Sequence, residues 1–414
     1  MTMASDSASR HRLWRLVPVA ALLIFTLVLR APITVVPPLL TMIRTDLGLD
    51  AATAGLLTSI PVLAFGLLTP VASKVLARTG VNRGAMICVV GVMLGSAVRS
   101  ADGALGAYAG TILIGVTLAI GNLAVPMLIG RQFQHRAELL TGAYALTTNL
   151  VVTATTALAV PAALLVGWRW TAASTGLVIG AVSLAVWVAV YPPGVGGASA
   201  WVRRRAGQPD PAAEVRTKAV RAKGSTSRIT LLLTTAFAAH TYVYYALASW
   251  LPTALMETQH MTASGSGIAA SLMQAAGIAG ALLVPVLRAF RLPAERVVVA
   301  IGLAWVVMPA GMLFAPALWA VWSVFGGLAQ AAFFTAVMAV VIRRSRDVDE
   351  NRRTTAVMQT VGYSVAAVGP VLTGWVHERS GGWSVPFALI LVVAVVMVGA
   401  AALAVRPAPE PARA

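Results

Sequence analysis

Apolar residues run along this chain in long blocks, without the alternation of a half-buried strand or the single stripe of a surface helix. Twelve blocks can be marked, at roughly 14–40, 52–77, 84–101, 104–129, 138–165, 170–191, 229–252, 264–289, 295–314, 317–341, 355–376 and 384–405. A helix crosses a hydrocarbon core about 30 Å thick with about 20 residues, so each block is long enough to span. Backbone groups inside a bilayer must satisfy one another, which makes these blocks helices. The expected fold is therefore an all-α polytopic membrane protein of twelve transmembrane helices. The pattern breaks at 192–228, which opens Pro192-Pro193-Gly194 and carries Arg203-Arg204-Arg205, Arg216, Lys218, Arg221 and Lys223. It reads as a basic cytoplasmic linker between a six-helix bundle at 1–191 and a second bundle, with a short tail, at 229–414.

Composition agrees. Of 414 residues 58% are hydrophobic and 11% charged, against about 25% charged in an ordinary soluble domain. The formal charge of +17 could point to nucleic acid, but its placement does not. With the N-terminus inside, 26 of the 31 Lys and Arg fall in inward-facing segments, and Arg44, Arg99, Arg169 and Arg379 fall in outer loops. That asymmetry follows the positive-inside rule, puts both termini in the cytoplasm and needs no nucleic-acid partner. Arg10-His11-Arg12 before Leu16–Leu29 resembles a signal peptide, but no small-residue cleavage site follows, so the segment is read as a retained first helix.

Arg30 is the thirty-first basic residue and, away from the ends of the blocks, the one formal charge within the spans. Counted from Leu16, it lies about 21 Å along the first helix, past the bilayer midplane but within the apolar layer. An ionisable group at that depth usually faces a bundle interior or a watery cavity. The alternative is a side chain that snorkels to the outer headgroups. Arg30 is expected to bind solute, with Pro37 following it at a bend.

The halves carry a faint repeat at an offset of 215, which pairs Pro37 with Pro252, Pro70 with Pro285 and Trp168 with Trp383. Two pseudo-symmetric six-helix bundles around a central site are the layout of a duplicated transporter. On the seventh block, His240 and Tyr244 share a helix face, and Tyr244 and Tyr245 fall near the depth of Arg30. A guanidinium fork with phenolic hydroxyls at one level suits a carboxylate or similar anion. Tyr245 could equally belong to an interfacial aromatic belt, and His240 could be a neutral residue bonded between helices. Gln359, Tyr363, Asn122 and Asn149 are further cavity candidates, with Gln274 and Gln330 behind them; buried amides often only join neighbouring helices.

Other chemistry has little support. The chain has one cysteine, Cys88, within an apolar block, so no intrachain disulfide can form. No metal-ligand spacing, phosphate loop or nucleophile–base pattern occurs, so neither an enzyme nor a cofactor is expected. No Asp or Glu falls within the spans. Proton coupling would then use His240, whose side-chain type titrates near neutrality, or a carboxylate at a helix end such as Glu138 or Glu257.

The layout resembles the major facilitator superfamily. Between its second and third helices the superfamily usually carries Gly-x-x-x-Asp-Arg/Lys-x-Gly-Arg-Arg/Lys. Here Ala77-Arg78-Thr79-Gly80-Val81-Asn82-Arg83 keeps the arginine and glycine but has alanine in place of the aspartate. Further stretches are Gly115-x-x-x-Ala119-Ile120-Gly121-Asn122…Pro126…Arg131-Gln132-Phe133, Tyr244-Tyr245…Trp250-Leu251-Pro252, and Gln359-Thr-Val-Gly362-Tyr363…Gly369-Pro370…Gly374…His377-Glu378. Together they resemble the cyanate-permease/nitroimidazole-transporter (CynX/NimT) branch. The resemblance implies a monomeric carrier in the cell membrane, moving a small polar or anionic solute by alternating access. Arg78 and Gly80 would act in an inner gate that lacks the usual aspartate of its charge relay; Trp250-Leu251-Pro252, at the outer end of the seventh helix, reads either as a gating bend or as an ordinary helix terminus. The competing readings are a drug or nitroaromatic efflux carrier, a transport-inactive receptor or scaffold on the same fold, and a lipid-active membrane enzyme.

Overall fold

The computed structural model describes residues 3–101, 103–133, 137–191, 228–289, 294–344, 348–405. The linker expected at 192–228 lies outside them except for Arg228, and so does the side chain of Glu138. Each of the twelve predicted blocks is filled by helix. The elements are α1 (Met3–Thr34), α2 (Val36–Leu47), α3 (Ala51–Leu67), α4 (Thr69–Thr79), α5 (Val81–Arg99), α6 (Gly103–Gln132), α7 (Ala137–Val166), α8 (Trp168–Val190), α9 (Arg228–Thr258), α10 (Ala263–Ala289), α11 (Ala294–Phe314), α12 (Trp319–Arg344), α13 (Val348–Ala366), α14 (Val368–Ser380) and α15 (Ser384–Val405). Among the described residues ten spans are long and apolar enough to cross a membrane, or eleven when the bent pair α3 and α4 counts as one. The remaining block is α10, which has 27 residues.

Three blocks expected as single helices are each interrupted for one residue beside a proline; Val35 and Ala367 keep helical dihedrals there, and α3 and α4 form the one described pair bent by more than 40°. Pro37 and Pro38 cannot donate to the carbonyls of Ile33 and Thr34, and the first block breaks at Val35. Pro70 sits in the first turn of α4, which bends 63° from α3. Pro370 stands just inside α14, after a break at Ala367. The seventh block corrects the opposite expectation. Trp250-Leu251-Pro252 does not end the helix; α9 runs on to Thr258 with Pro252 inside it. A single proline leaves one carbonyl without its donor, and α9 absorbs that loss at Pro252 without interruption, as α6 does at Pro126.

Contacts divide the chain into two compact units, Met1–Leu49 with Ile60–Glu214, and Asp50–Ser59 with Val215–Ala414. Each unit repeats one packing scheme. In the first, α5 packs on α6 and α8, and α1 packs on α7 and α8. In the second, α11 packs on α12 and α15, and α9 packs on α13 and α15. The first core gathers Leu22, Phe25, Leu29, Cys88, Ile114 and Trp187. The second buries Phe237, Trp250, Met273, Trp305 and Phe333. Some contacts leave no room for a side chain. A Cβ on Gly374 would lie 2.6 Å from the Ala51 carbonyl oxygen and 2.5 Å from the Trp250 ring. Outward, large apolar residues stay exposed, including Leu165 at 87% and Phe314 at 79%. Such a surface suits lipid rather than water.

Polar groups inside the first unit are placed with care. Arg99, expected in an outer loop, is instead the last residue of α5 and only 3% exposed. Its Nη1 donates to the Pro32 carbonyl and its Nη2 to the Ala172 carbonyl at 3.1 Å, which ties α5 to α1 and α8. At the end of α8, Tyr191 donates to Gln132 Oε1 at 2.6 Å.

Candidate functional site

Arg30 lies half-buried on α1, one turn before the break at Val35. The turn that carries it is held through Thr34, whose hydroxyl donates to the Arg30 carbonyl at 3.1 Å and pairs with the Thr155 hydroxyl of α7. Hydroxyl back-bonding of this kind is how Thr satisfies itself within a helix. Arg99 grips the Pro32 carbonyl two residues further on. The Arg30 turn is thus fixed from two sides, by α7 and by α5. Asn122 on α6 and Asn149 on α7 are half-buried, and Asn149 Nδ2 donates to its own helix at the Ala145 carbonyl, 2.9 Å away. Arg78 is exposed near the end of α4. Gly80 joins α4 to α5 at φ 80°, a conformation that favours glycine. Pro37 is half-buried at the start of α2.

In the second unit the polar candidates sit on α9 and α13. Tyr244 and Tyr245 are half-buried and meet edge to face, with ring centroids 5.0 Å apart. The Tyr244 hydroxyl donates to Gln274 Oε1 on α10 at 3.3 Å. Gln274, given less weight in the sequence, is therefore part of this group; an amide about one helix block away left no local spacing to flag it. Tyr363 meets the Phe237 ring edge-on at 5.9 Å. Next to it, Thr241 Oγ1 donates to the Gly362 carbonyl at 3.0 Å and pins α9 to α13. Gln359 is half-buried one turn earlier on α13.

His240 is placed differently. It is 4% exposed, with its ring 5.2 Å from Phe333, 6.2 Å from Trp305 and 6.4 Å from Phe237. The shared helix face with Tyr244 is real, but four residues along it the neighbours change from α10 to α11 and α12. Trp250 is fully buried and donates through Nε1 to the Pro370 carbonyl at 2.7 Å. Pro252 is buried within the same helix. Among the described residues no group of three His, Cys, Asp or Glu could hold a metal ion.

The Tyr244 hydroxyl can be tested alone. Tyr244→Phe removes one hydroxyl, and a single net hydrogen bond from it to solute would contribute about 1 kcal/mol. A loss of about fivefold in solute affinity, with elution on size exclusion unchanged, is the expected result; an unaltered affinity would remove Tyr244 from the site.

Comparison with known proteins agrees with this architecture. The 2-nitroimidazole transporter of Escherichia coli (strain K12) is 29% identical over 398 residues, covering 96% of either chain. The cyanate transport protein CynX of the same organism is 26% identical over 375 residues, covering 89% of this chain and 91% of that one. These are the two activities from which the resembled branch takes its name. Among solved structures, the nucleoside transporter NupG superposes with a TM-score of 0.74 at 12% identity, over 94% of this chain and 99% of that one. The D-xylose-proton symporter superposes with a TM-score of 0.72 at 13% identity, over 96% and 98%. The family model described as Major Facilitator Superfamily matches residues 22–323 and 289–414, and the chain belongs to that superfamily of membrane transporters.

Proposed function

We propose that this carrier moves a small, planar, electron-rich solute, anionic or nitro-bearing, by alternating access. Arg30 would be its principal ligand. The observation that carries the reading is the setting of Arg30, half-buried at a helix break and on a turn held by Thr34, Thr155 and Arg99. A guanidinium in the apolar layer is costly unless it is used. Its planar fork matches two oxygens of a carboxylate or a nitro group. Relatives named for 2-nitroimidazole and cyanate support solutes of this size and shape. In the second unit Tyr244, Tyr245, Gln274, Gln359 and Tyr363 would be available to solute, and in the first unit Asn122 and Asn149. Pro37, Arg78, Gly80, Trp250 and Pro252 would take part in the conformational change. His240, ringed by aromatic side chains, receives no proton-carrying role in this reading. A thermal-shift screen of the purified chain with small organic acids, cyanate, nitroimidazoles and inorganic anions tests it, because a binder stabilises the native state by mass action. A uniformly flat response to planar anions and nitroaromatics, beside a hit from a cationic compound, would overturn it.

The orientation we propose puts both termini and residues 192–228 in the cytoplasm of a cell-membrane monomer. Cysteines introduced at positions 210 and 258 report on it, because the native Cys88 is fully buried and should stay silent. An impermeant thiol reagent on intact cells is expected to label 258 and spare 210. Labelling of 210 alone would reverse the topology.

A further inference from the structure

The offset of 215 pairs Trp168 with Trp383, and both indoles stand in the same small arrangement. Each is buried at the start of the last helix of its unit, α8 in the first and α15 in the second. An indole has one N–H and no acceptor, so burial obliges it to find an oxygen. Trp168 Nε1 donates at 3.1 Å to Asp46 Oδ2, in the last turn of α2. Trp383 Nε1 donates at 2.8 Å to Glu257 Oε2, in the last turn of α9. In each unit a basic side chain meets that same oxygen and covers the same ring. Arg169 Nη1 pairs with Asp46 Oδ2, and its guanidinium carbon lies 4.7 Å from the centre of the Trp168 ring. His377 Nε2 lies 3.4 Å from Glu257 Oε2, and its ring stacks on Trp383 at 4.1 Å. Only the tryptophans keep the offset. The carboxylates lie 122 and 126 residues before their indoles, so two different sets of residues reach one arrangement.

We propose that this carboxylate–indole group is a clasp, used once in each unit, and that it positions a whole helix in the first unit but only a helix end in the second. The difference follows from what each clasp holds. α9 is continuous from Arg228 to Thr258 and packs along its length on α13 and α15. Its clasp therefore secures the last turns and little else. α2 has 12 residues and is set off from α1 by Pro37 and Pro38, which withhold two adjacent helical donors. At its other end the Asp46 clasp fastens it to α8. Asp46 and Trp168 are thus positioning residues for α2. The Asp46 and Glu257 side chains are 40% and 42% exposed, so opening a clasp returns its carboxylate to solvent, and the buried indole N–H is the group that loses its partner. The proposal rests neither on the solute nor on Arg30.

Two measurements on the purified full chain test it. The first is hydrogen–deuterium exchange read by peptide mass spectrometry, which reports local opening segment by segment. Asp46→Leu removes the acceptor and is expected to speed exchange several-fold over all of α2, leaving α9 as in wild type. Glu257→Leu should act only on the last turns of α9 and the first turn of α15. Asp46→Asn and Glu257→Gln keep an oxygen for the indole and should stay close to wild type. Unchanged exchange over α2 in Asp46→Leu overturns the proposal, and so does an effect of Glu257→Leu that spreads along the whole of α9. The second measurement keeps both carboxylates. In a chain with isotope-labelled tryptophan, an acceptor oxygen deshields the indole proton it receives. The resonances of Trp168 and Trp383 should therefore lie downfield of that of Trp305, whose Nε1 is buried with no acceptor among the described residues. Each is assigned by its loss in Trp168→Phe, Trp383→Phe or Trp305→Phe. Positions at or upfield of the Trp305 resonance would overturn the clasp even if the leucine variants fail to fold.

Discussion

Arg30→Ala is expected to abolish solute binding, with the chain still eluting as a folded monomer. Truncating a charged group that holds an anion in a desolvated site costs about 3 kcal/mol, or roughly a hundredfold in affinity. Arg30→Lys keeps the charge but replaces a planar fork with a point donor, and should recover only a small part of the loss for a planar solute. The measurement is affinity in detergent for whichever compound the screen identifies, beside size-exclusion chromatography of each variant. Binding by Arg30→Ala at the wild-type level would make Arg30 a snorkelling residue. Aggregation of Arg30→Ala with retention of the fold in Arg30→Lys would make it a structural pin, and the search for the site would move to α13.

The second large effect is one of stability. Arg99→Leu should lower the unfolding temperature by several degrees, because two charge-assisted hydrogen bonds to carbonyls on separate helices disappear together. Bonds to charged groups contribute about 1.5–3 kcal/mol each, discounted here because Leu also removes a buried charge. A net loss of about 2–3 kcal/mol is expected. Arg99→Lys should rescue it incompletely, since a single ammonium on a flexible stem does not present the two spaced donors of a guanidinium. Thermal unfolding of the three proteins side by side checks this, and an Arg99→Leu chain as stable as wild type would show that the two carbonyls need no partner from α5.

Much of the fold was legible because a bilayer reduces the choice of structure to its length and apolarity, and each of the twelve blocks proved helical. What could not be read was the course of each helix within its block. Spans that are apolar all round give no periodic signal, and single prolines accompany the interruptions at Leu68 and Ala367 yet leave α9 continuous at Pro252, so a proline alone does not show where a helix is interrupted. Arg99 was misassigned for a related reason. A charge at the edge of an apolar block reads as loop, and only packing shows that α5 carries it inward to meet α1 and α8. Of the candidate site, the residue types and their helices came from the sequence. The partner of Tyr244 did not, because Gln274 reaches it across two helices, and neither did the divergent surroundings of His240 and Tyr244, which lie on one face but against different neighbours.

The first span and the unbroken α9 hold matching places in the packing schemes of the two units, yet they differ as mechanical parts. At Val35 the first span keeps helical dihedrals, but Pro37 and Pro38 leave two adjacent carbonyls without their helical donors. The α9 rod has only the local softness of one missing bond at Pro252. Torque applied at the far end of α9 is therefore expected to arrive at Thr258 with little lost, whereas the same torque on α1 can be spent in bending at Val35. Two helices with matching places in the two packing schemes therefore carry load unequally, the proline pair making one of them the softer lever.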